Sequence, residues 1–228
     1  MNSATRFVSS LGYGLWRPLL RRRLGRVTME EIDGVPLVVL PEVFNPAVFR
    51  TGTLLARAVA AWTPPVPEGE IRVLDLGTGS GVGALFAARR GFRVVAVDVN
   101  PEAVRCARIN ALLHHLEARI EARQGDLFTP VAGECFDLVL FNPPFFFGEP
   151  ANHLDRAWRG TDVLERFAAG LSAALTPAGQ ALLVLSTDGD GVTLLAALGR
   201  GGLEIETVRR RDFGNEVITA YLIRASPR

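Results

Sequence analysis

The sequence predicts an α/β fold in which a doubly wound, mostly parallel seven-stranded sheet carries an antiparallel terminal strand and a small N-terminal helix and hairpin cap. Three observations lead there. Beyond Glu70, short apolar runs alternate with helical patterns, which implies parallel strands with helices on both faces. The first of those runs feeds directly into Gly77-Thr78-Gly79-Ser80-Gly81, and a glycine-rich turn between strand and helix belongs to doubly wound sheets. The last two runs, 203–208 and 217–223, are separated by polar residues and read as a terminal hairpin, which gives the sheet an antiparallel edge.

Residues 6–24 are helix-like, with Phe7, Leu11, Leu15 and Leu19 at regular spacing, interrupted by Gly12, Gly14 and Pro18, which favour breaks. Runs 27–32 and 35–40 flank Asp33-Gly34, a pair that readily takes the positive φ of a tight hairpin turn. A helix over 53–62 is stopped by Thr63-Pro64-Pro65-Val66-Pro67. That proline-rich stretch divides a cap, residues 1–67, from the main domain, residues 68–228. In the main domain, strands fall at 71–76, 93–97, 136–141 and 180–185. Asn100-Pro101-Glu102 opens a helix, with Asn as N-cap, Pro in the first turn and an acid that suits the dipole. Asp162, with Glu165 close behind, opens another, whose Phe167, Leu171 and Leu175 share one face. The chain contains no internal repeat.

With 228 residues, 48% of them hydrophobic and 21% charged, the chain fits an ordinary globular protein with a substantial core. A net charge of +1 does not demand a nucleic-acid partner. The two cysteines, Cys106 and Cys135, lack metal-ligand spacing and read as reduced, partly buried thiols. Residues 1–10 lack the layout of a signal peptide, and no apolar run approaches the roughly 18 residues of a membrane span. A soluble, cytoplasmic protein without a membrane partner is expected.

Glycine tolerates positive φ and has no Cβ, so Gly77, Gly79 and Gly81 let backbone approach a ligand closely. Gly79-x-Gly81-x-x-Ala84 also satisfies the loose dinucleotide fingerprint, so charge must discriminate. A dinucleotide brings an anionic pyrophosphate, which Asp75 at the strand end would repel. S-adenosylmethionine brings an ammonium and a sulfonium, which Asp75 would attract. Asp98 closes the next strand, where a carboxylate can accept bonds from both ribose hydroxyls, a device NAD enzymes share. Asp126, in Gly125-Asp126-Leu127, reads either as an acceptor for the adenine amino group, with Leu127 packed on the ring, or as a turn residue. Three acids at the ends of three successive strands favour a cofactor site composed of Asp75, Gly77, Thr78, Gly79, Gly81, Asp98, Val99, Asp126, Leu127 and Asn142. No metal is expected.

Asn142-Pro143-Pro144-Phe145 follows a strand that a doubly wound sheet places beside the glycine loop. Two consecutive prolines remove backbone donors and stiffen the chain, leaving the Asn142 amide oxygen and the Pro143 carbonyl as fixed acceptors. Such acceptors suit an NH2 group. Amide and aromatic amine nitrogens are weak nucleophiles because the lone pair is conjugated, and holding both N–H bonds would orient the nitrogen and raise its electron density. Phe145 can stack on a flat acceptor, with Phe146 and Phe147 excluding water. The plainer alternative is a turn that ends a strand.

Over about residues 42–223 these motifs resemble class I S-adenosylmethionine-dependent methyltransferases that act on exocyclic or amide nitrogen. The resemblance implies a Rossmann-like methyltransferase fold, cofactor contacts from Asp75, Gly77, Gly79, Asp98 and Asp126, and an acceptor clamp from Asn142 to Phe145. Among these enzymes the chain is most similar to the HemK-like glutamine methyltransferases of translation release factors. Three stretches carry that similarity: Val43-Phe44-Asn45-Pro46-Ala47, Ala157-Trp158-Arg159-Gly160 before Val163-Leu164-Glu165-Arg166-Phe167, and Phe213-Gly214-Asn215-Glu216-Val217. After Pro46 those enzymes usually carry acids, where this chain has Val48, Phe49 and Arg50. Phe44 with Phe49-Arg50-Thr51-Gly52 is also similar to ribosomal RNA guanine methyltransferases. The expected acceptor is therefore a protein glutamine amide, with a nucleic-acid base amine or a small-molecule amine as alternatives. An intact loop and clamp argue against a non-catalytic binding module.

Arg17, Arg21, Arg22, Arg23 and Arg26, with Trp16 nearby, form one basic segment, and Arg209, Arg210 and Arg211 a second. They suit either phosphate contact with RNA or solvated faces. His114 and His115 point to different sides of a helix and read as surface residues, and His153 as a lid or turn residue.

Overall fold

The computed structural model describes residues 25–65, 69–143, 162–189 and 191–225. The helix expected at 6–24, with Arg17 to Arg23, lies outside them, as do Pro144 to Phe147, His153 and residues 157–160. The first elements form a hairpin, β1 (Thr28–Ile32) and β2 (Val35–Val39). It turns on Asp33 and Gly34, both at positive φ. Helix α1 (Arg50–Ala61) begins earlier than its pattern suggests, because the backbone of the Asn45 turn leads straight into it, Phe49 N donating to Asn45 O at 3.0 Å.

The sheet follows: β3 (Arg72–Leu76), α2 (Val82–Arg89), β4 (Arg93–Asp98), α3 (Pro101–Leu113), β5 (Ile120–Gln124), β6 (Phe136–Phe141), α4 (Val163–Ala174), β7 (Leu175–Ser186), α5 (Gly191–Arg200), β8 (Leu203–Asp212) and β9 (Val217–Ala225). Its order is β5-β4-β3-β6-β7-β9-β8. The first five strands are mutually parallel, and β9 is antiparallel to both neighbours. The antiparallel strand thus lies one in from the edge, and β8 at the edge runs with the parallel set. Leu175, expected on a helix face, opens β7 instead.

Alternate residues of the central strands feed two apolar clusters. Val73, Leu138, Leu140, Leu182 and Val184 face the hairpin, α1, α2 and α3. Leu74, Leu76, Val139, Phe141 and Leu183 face α4 and α5. Burial on both faces explains why these strands read as unbroken apolar runs. Trp62, just past α1, is bound to β7 through its indole N–H, which donates to Gln180 Oε1 at 2.7 Å. Cys106 is fully buried, and burial pushes its thiol up to about 11. Cys135 departs from expectation: it stands exposed just before β6 rather than inside an element. No helix among the described residues is long and apolar enough to cross a membrane.

Several side chains tie the hairpin to the helices, Asn110 among them. Asn110 of α3, 1% exposed, accepts from Val38 N at 2.7 Å and donates to Val38 O at 2.7 Å and to Ser80 O at 2.8 Å. A carboxamide meets both backbone groups of a strand residue and still has an N–H for the glycine loop. Asn110→Ala strands these groups without their partner and should lower the unfolding free energy by about 3 kcal/mol, measured by urea titration.

Candidate active site

The site forms where β3, β4, β5 and β6 end. Gly77, Gly79 and Gly81 have φ of +61°, +55° and +82°, so the turn is built from conformations that side chains resist. Gly81 also serves packing: a Cβ there would lie 2.9 Å from Ala107 Cα, so its absence lets the start of α2 touch α3. The loop is fastened to β4 through Thr78 N donating to Val97 O at 3.0 Å and Gly79 N donating to Asp98 Oδ2 at 2.9 Å. The other Asp98 oxygen accepts from Asn100 N at 2.9 Å. Each of these oxygens has a second lone pair.

Asp75, 2% exposed, accepts at Oδ2 from Thr78 Oγ1 at 2.6 Å and from Ala84 N at 2.9 Å. It therefore closes the loop and caps the first turn of α2 from within. Gly83, which its place outside the glycine motif concealed, makes room for it: a Cβ there would lie 2.8 Å from Asp75 Oδ1. Burial, with a contribution from Asp98, pushes the Asp75 carboxyl up to about 6 against the two hydrogen bonds that lower it.

One pocket gathers Asp75, Gly77, Thr78, Gly79, Asp98, Val99, Asp126, Leu127 and Asn142. Gly81 and Pro143 are outside its lining, Gly81 at the α2/α3 contact and Pro143 buried. Pro144 and Phe145 are beyond the described residues. The hairpin-to-α1 connection adds Glu42, Phe44 and Pro46, and the first turn of α1 adds Gly52; none of these was assigned to the cofactor site from the sequence. Glu42 is at φ +62°, and its carbonyl accepts from Asn100 Nδ2 at 2.9 Å, which draws the connection over the loop. Asp126 pairs with Arg166 of α4 at 2.7 Å, a partner forty residues on that the sequence reading missed. Leu127, at φ +46°, sits in the left-handed region, a strained placement for a branched side chain that clusters at ligand sites.

The lining has four carboxylates, Glu42, Asp75, Asp98 and Asp126, and no Lys, Arg or His among the described residues. That donor set fits the ammonium and sulfonium of S-adenosylmethionine and opposes a pyrophosphate. Two buried side-chain atoms lack a hydrogen-bond partner among the described residues, Ser80 Oγ and Asn142 Oδ1, and both residues line this pocket. Buried polar atoms are normally satisfied, so their meeting here marks a ligand surface. Asn142 follows Phe141, which pairs in register with Leu76 just before Gly77, so clamp and loop are neighbours. Asn142 Nδ2 donates to Thr51 Oγ1 at 3.2 Å.

Arg26 is exposed, and Arg209, Arg210 and Arg211 lie on edge strand β8. His114 is half-buried, its Nε2 2.6 Å from Pro36 O, and His115 is exposed.

A carboxyl raised to about 6 in the folded state binds its proton more tightly folded than unfolded, so the native state loses stability as pH climbs from about 4 to about 6. Asp75→Asn retains the accepting oxygen but not the charge. Relative to this variant the wild type should lose about 3 kcal/mol across that window, measured by denaturant midpoints from pH 4 to 8.

The family model for the methyltransferase small domain matches residues 35–200. A release factor glutamine methyltransferase of Gloeobacter violaceus is 32% identical over 228 residues, covering 92% of this chain and 72% of that protein. A tRNA1(Val) (adenine(37)-N6)-methyltransferase of Aeromonas salmonicida is 35% identical over 171 residues, covering 66% and 71%. The chain spans only 39% to 46% of the length of several other curated relatives. A structural neighbour is the T. thermophilus 16S rRNA N2 G1207 methyltransferase in complex with AdoMet and guanosine, with a TM-score of 0.63, 24% identity, and coverage of 88% of this chain and 50% of that one. Since the family match takes in the glycine loop, its acids and Asn142, the chain belongs to the methyltransferase small domain family, and its cofactor is S-adenosylmethionine.

Proposed function

We propose that this protein methylates a planar, conjugated NH2 group, and that the acceptor is a glutamine side-chain amide presented by a protein partner of the release-factor type. The observation that carries the reading is Asn142 Oδ1, a buried acceptor without a partner among the described residues, next to the glycine loop. Support for a glutamine acceptor comes from the similarity to the Gloeobacter enzyme, which extends over 92% of this chain.

S-adenosylmethionine supplies, when bound, an electrophilic methyl group on a sulfonium. Asp98, with both oxygens held in place by Gly79 N and Asn100 N, would face the ribose hydroxyls from the end of β4. Asp126, steadied by Arg166, and Leu127 receive the adenine. Glu42 and Asp75 balance cationic charge, and Ser80 Oγ meets a polar atom of the cofactor. At the acceptor, Asn142 Oδ1 and the Pro143 carbonyl take the two N–H bonds, which fixes the nitrogen and pushes electron density onto it. The nitrogen sheds one proton to solvent as it gains the methyl, so no basic side chain is required.

A base amine is the second reading, and one observation favours it. The Arg50 guanidinium, one residue before Thr51, lies 4.1 Å from the ring centroid of Phe213, and an arginine stacked on an aromatic ring that is 41% exposed suits nucleic acid.

The test is transfer of labelled methyl to a cell extract split into protease-treated and RNase-treated halves. Loss of label with protease is expected, and loss with RNase would transfer the assignment to a base amine. Asn142→Ala should reduce transfer on the order of 100-fold, while calorimetry should find cofactor affinity within about twofold of wild type.

A further inference from the structure

We infer that Thr51 is a positioning residue for Asn142, and that the hairpin-to-α1 connection exists in part to hold its hydroxyl in place. The inference rests on the proposed role of Asn142 and extends it to Thr51, a residue to which the sequence reading gave no role of its own.

A carboxamide on a short side chain turns about its terminal torsion with little resistance. Its oxygen serves as a fixed acceptor only if something holds the other end. Thr51 Oγ1 does so, accepting from Asn142 Nδ2 at 3.2 Å, while Asn142 Oδ1 has no partner among the described residues. Donation of that N–H leaves Oδ1 as the group open to the acceptor. It also draws electron density through the conjugated amide toward Oδ1, which strengthens the bond Oδ1 can accept.

Thr51 is itself immobilised. It is 2% exposed in the first turn of α1, and the turn before it is braced from several sides. Asn45 Oδ1 accepts from Ala47 N at 3.0 Å and Val48 N at 3.1 Å, and Asn45 Nδ2 donates to Glu30 Oε1 of β1 at 2.8 Å. Thr53 Oγ1 donates to Pro46 O at 3.0 Å. Gly52 permits that fit, because a Cβ there would lie 2.5 Å from Pro46 Cβ. A continuous line of contacts thus runs from the hairpin through Asn45 and Pro46 to Thr51, and from Thr51 to Asn142.

The experiment compares Thr51→Val, which keeps the shape and removes the acceptor oxygen, with Thr51→Ser, which keeps the oxygen. Methyl transfer kinetics are read with the extract-derived acceptor at saturating S-adenosylmethionine, together with calorimetric cofactor affinity and melting temperature. Thr51→Val should lower kcat about 10-fold or more, with cofactor affinity within twofold and a folded melting profile. Thr51→Ser should recover most of the loss. In an Asn142→Ala background Thr51→Val should cost little more, because the residue it positions is gone. Wild-type kcat in Thr51→Val, or an equal loss in Thr51→Ser, would overturn the inference. Full activity in Asn142→Ala would instead overturn the clamp itself, so the two failures are separable.

Discussion

A carboxylate that should not be buried holds this architecture together. Asp75 sits at 2% exposure beneath the glycine loop, and its two hydrogen bonds join the end of β3 to the start of α2. Burial opposes its charge, yet the loop it closes creates the space into which other acids can face. Gly83 exists where a side chain would evict that carboxylate. The energetic liability and the binding surface are therefore the same group, and a cationic ligand would relieve the first by occupying the second.

Around this point, buried asparagines act as ties between segments distant in sequence. Asn110 joins α3 to the hairpin and to the loop, Asn100 joins the start of α3 to Glu42, and Asn45 joins the hairpin to the turn before α1. Each asparagine is buried and meets backbone groups that no ladder satisfies, which is what a carboxamide does well. The hairpin is consequently integrated with the site: it supplies Glu42 and Phe44 to the pocket wall through the segment that follows it.

Local pattern made the sheet legible. Apolar runs of the central strands, the glycine turn and the Asn100-Pro101 helix start are all short-range signals, and the acids after β3, β4 and β5 converge because parallel strands must end on one side. What escaped depends on contacts across long separations. Arg166 reaches Asp126 and Thr51 reaches Asn142 only once helices pack. The place of β9 between β7 and β8 escaped for a related reason: two adjacent runs predict a hairpin, but which member pairs with the rest of the sheet depends on tertiary packing. Cys135 misled because its neighbours are apolar on only one side.

Edge strand β8 ends in Arg209, Arg210 and Arg211, with a bulge between Thr207 and Arg209. An open strand edge offers unpaired amides and carbonyls to any passing chain, and charge together with a break in the ladder spoils that template. Three arginines beside such a break make this edge a poor template for a further strand. That consequence of the charge holds whatever the enzyme methylates.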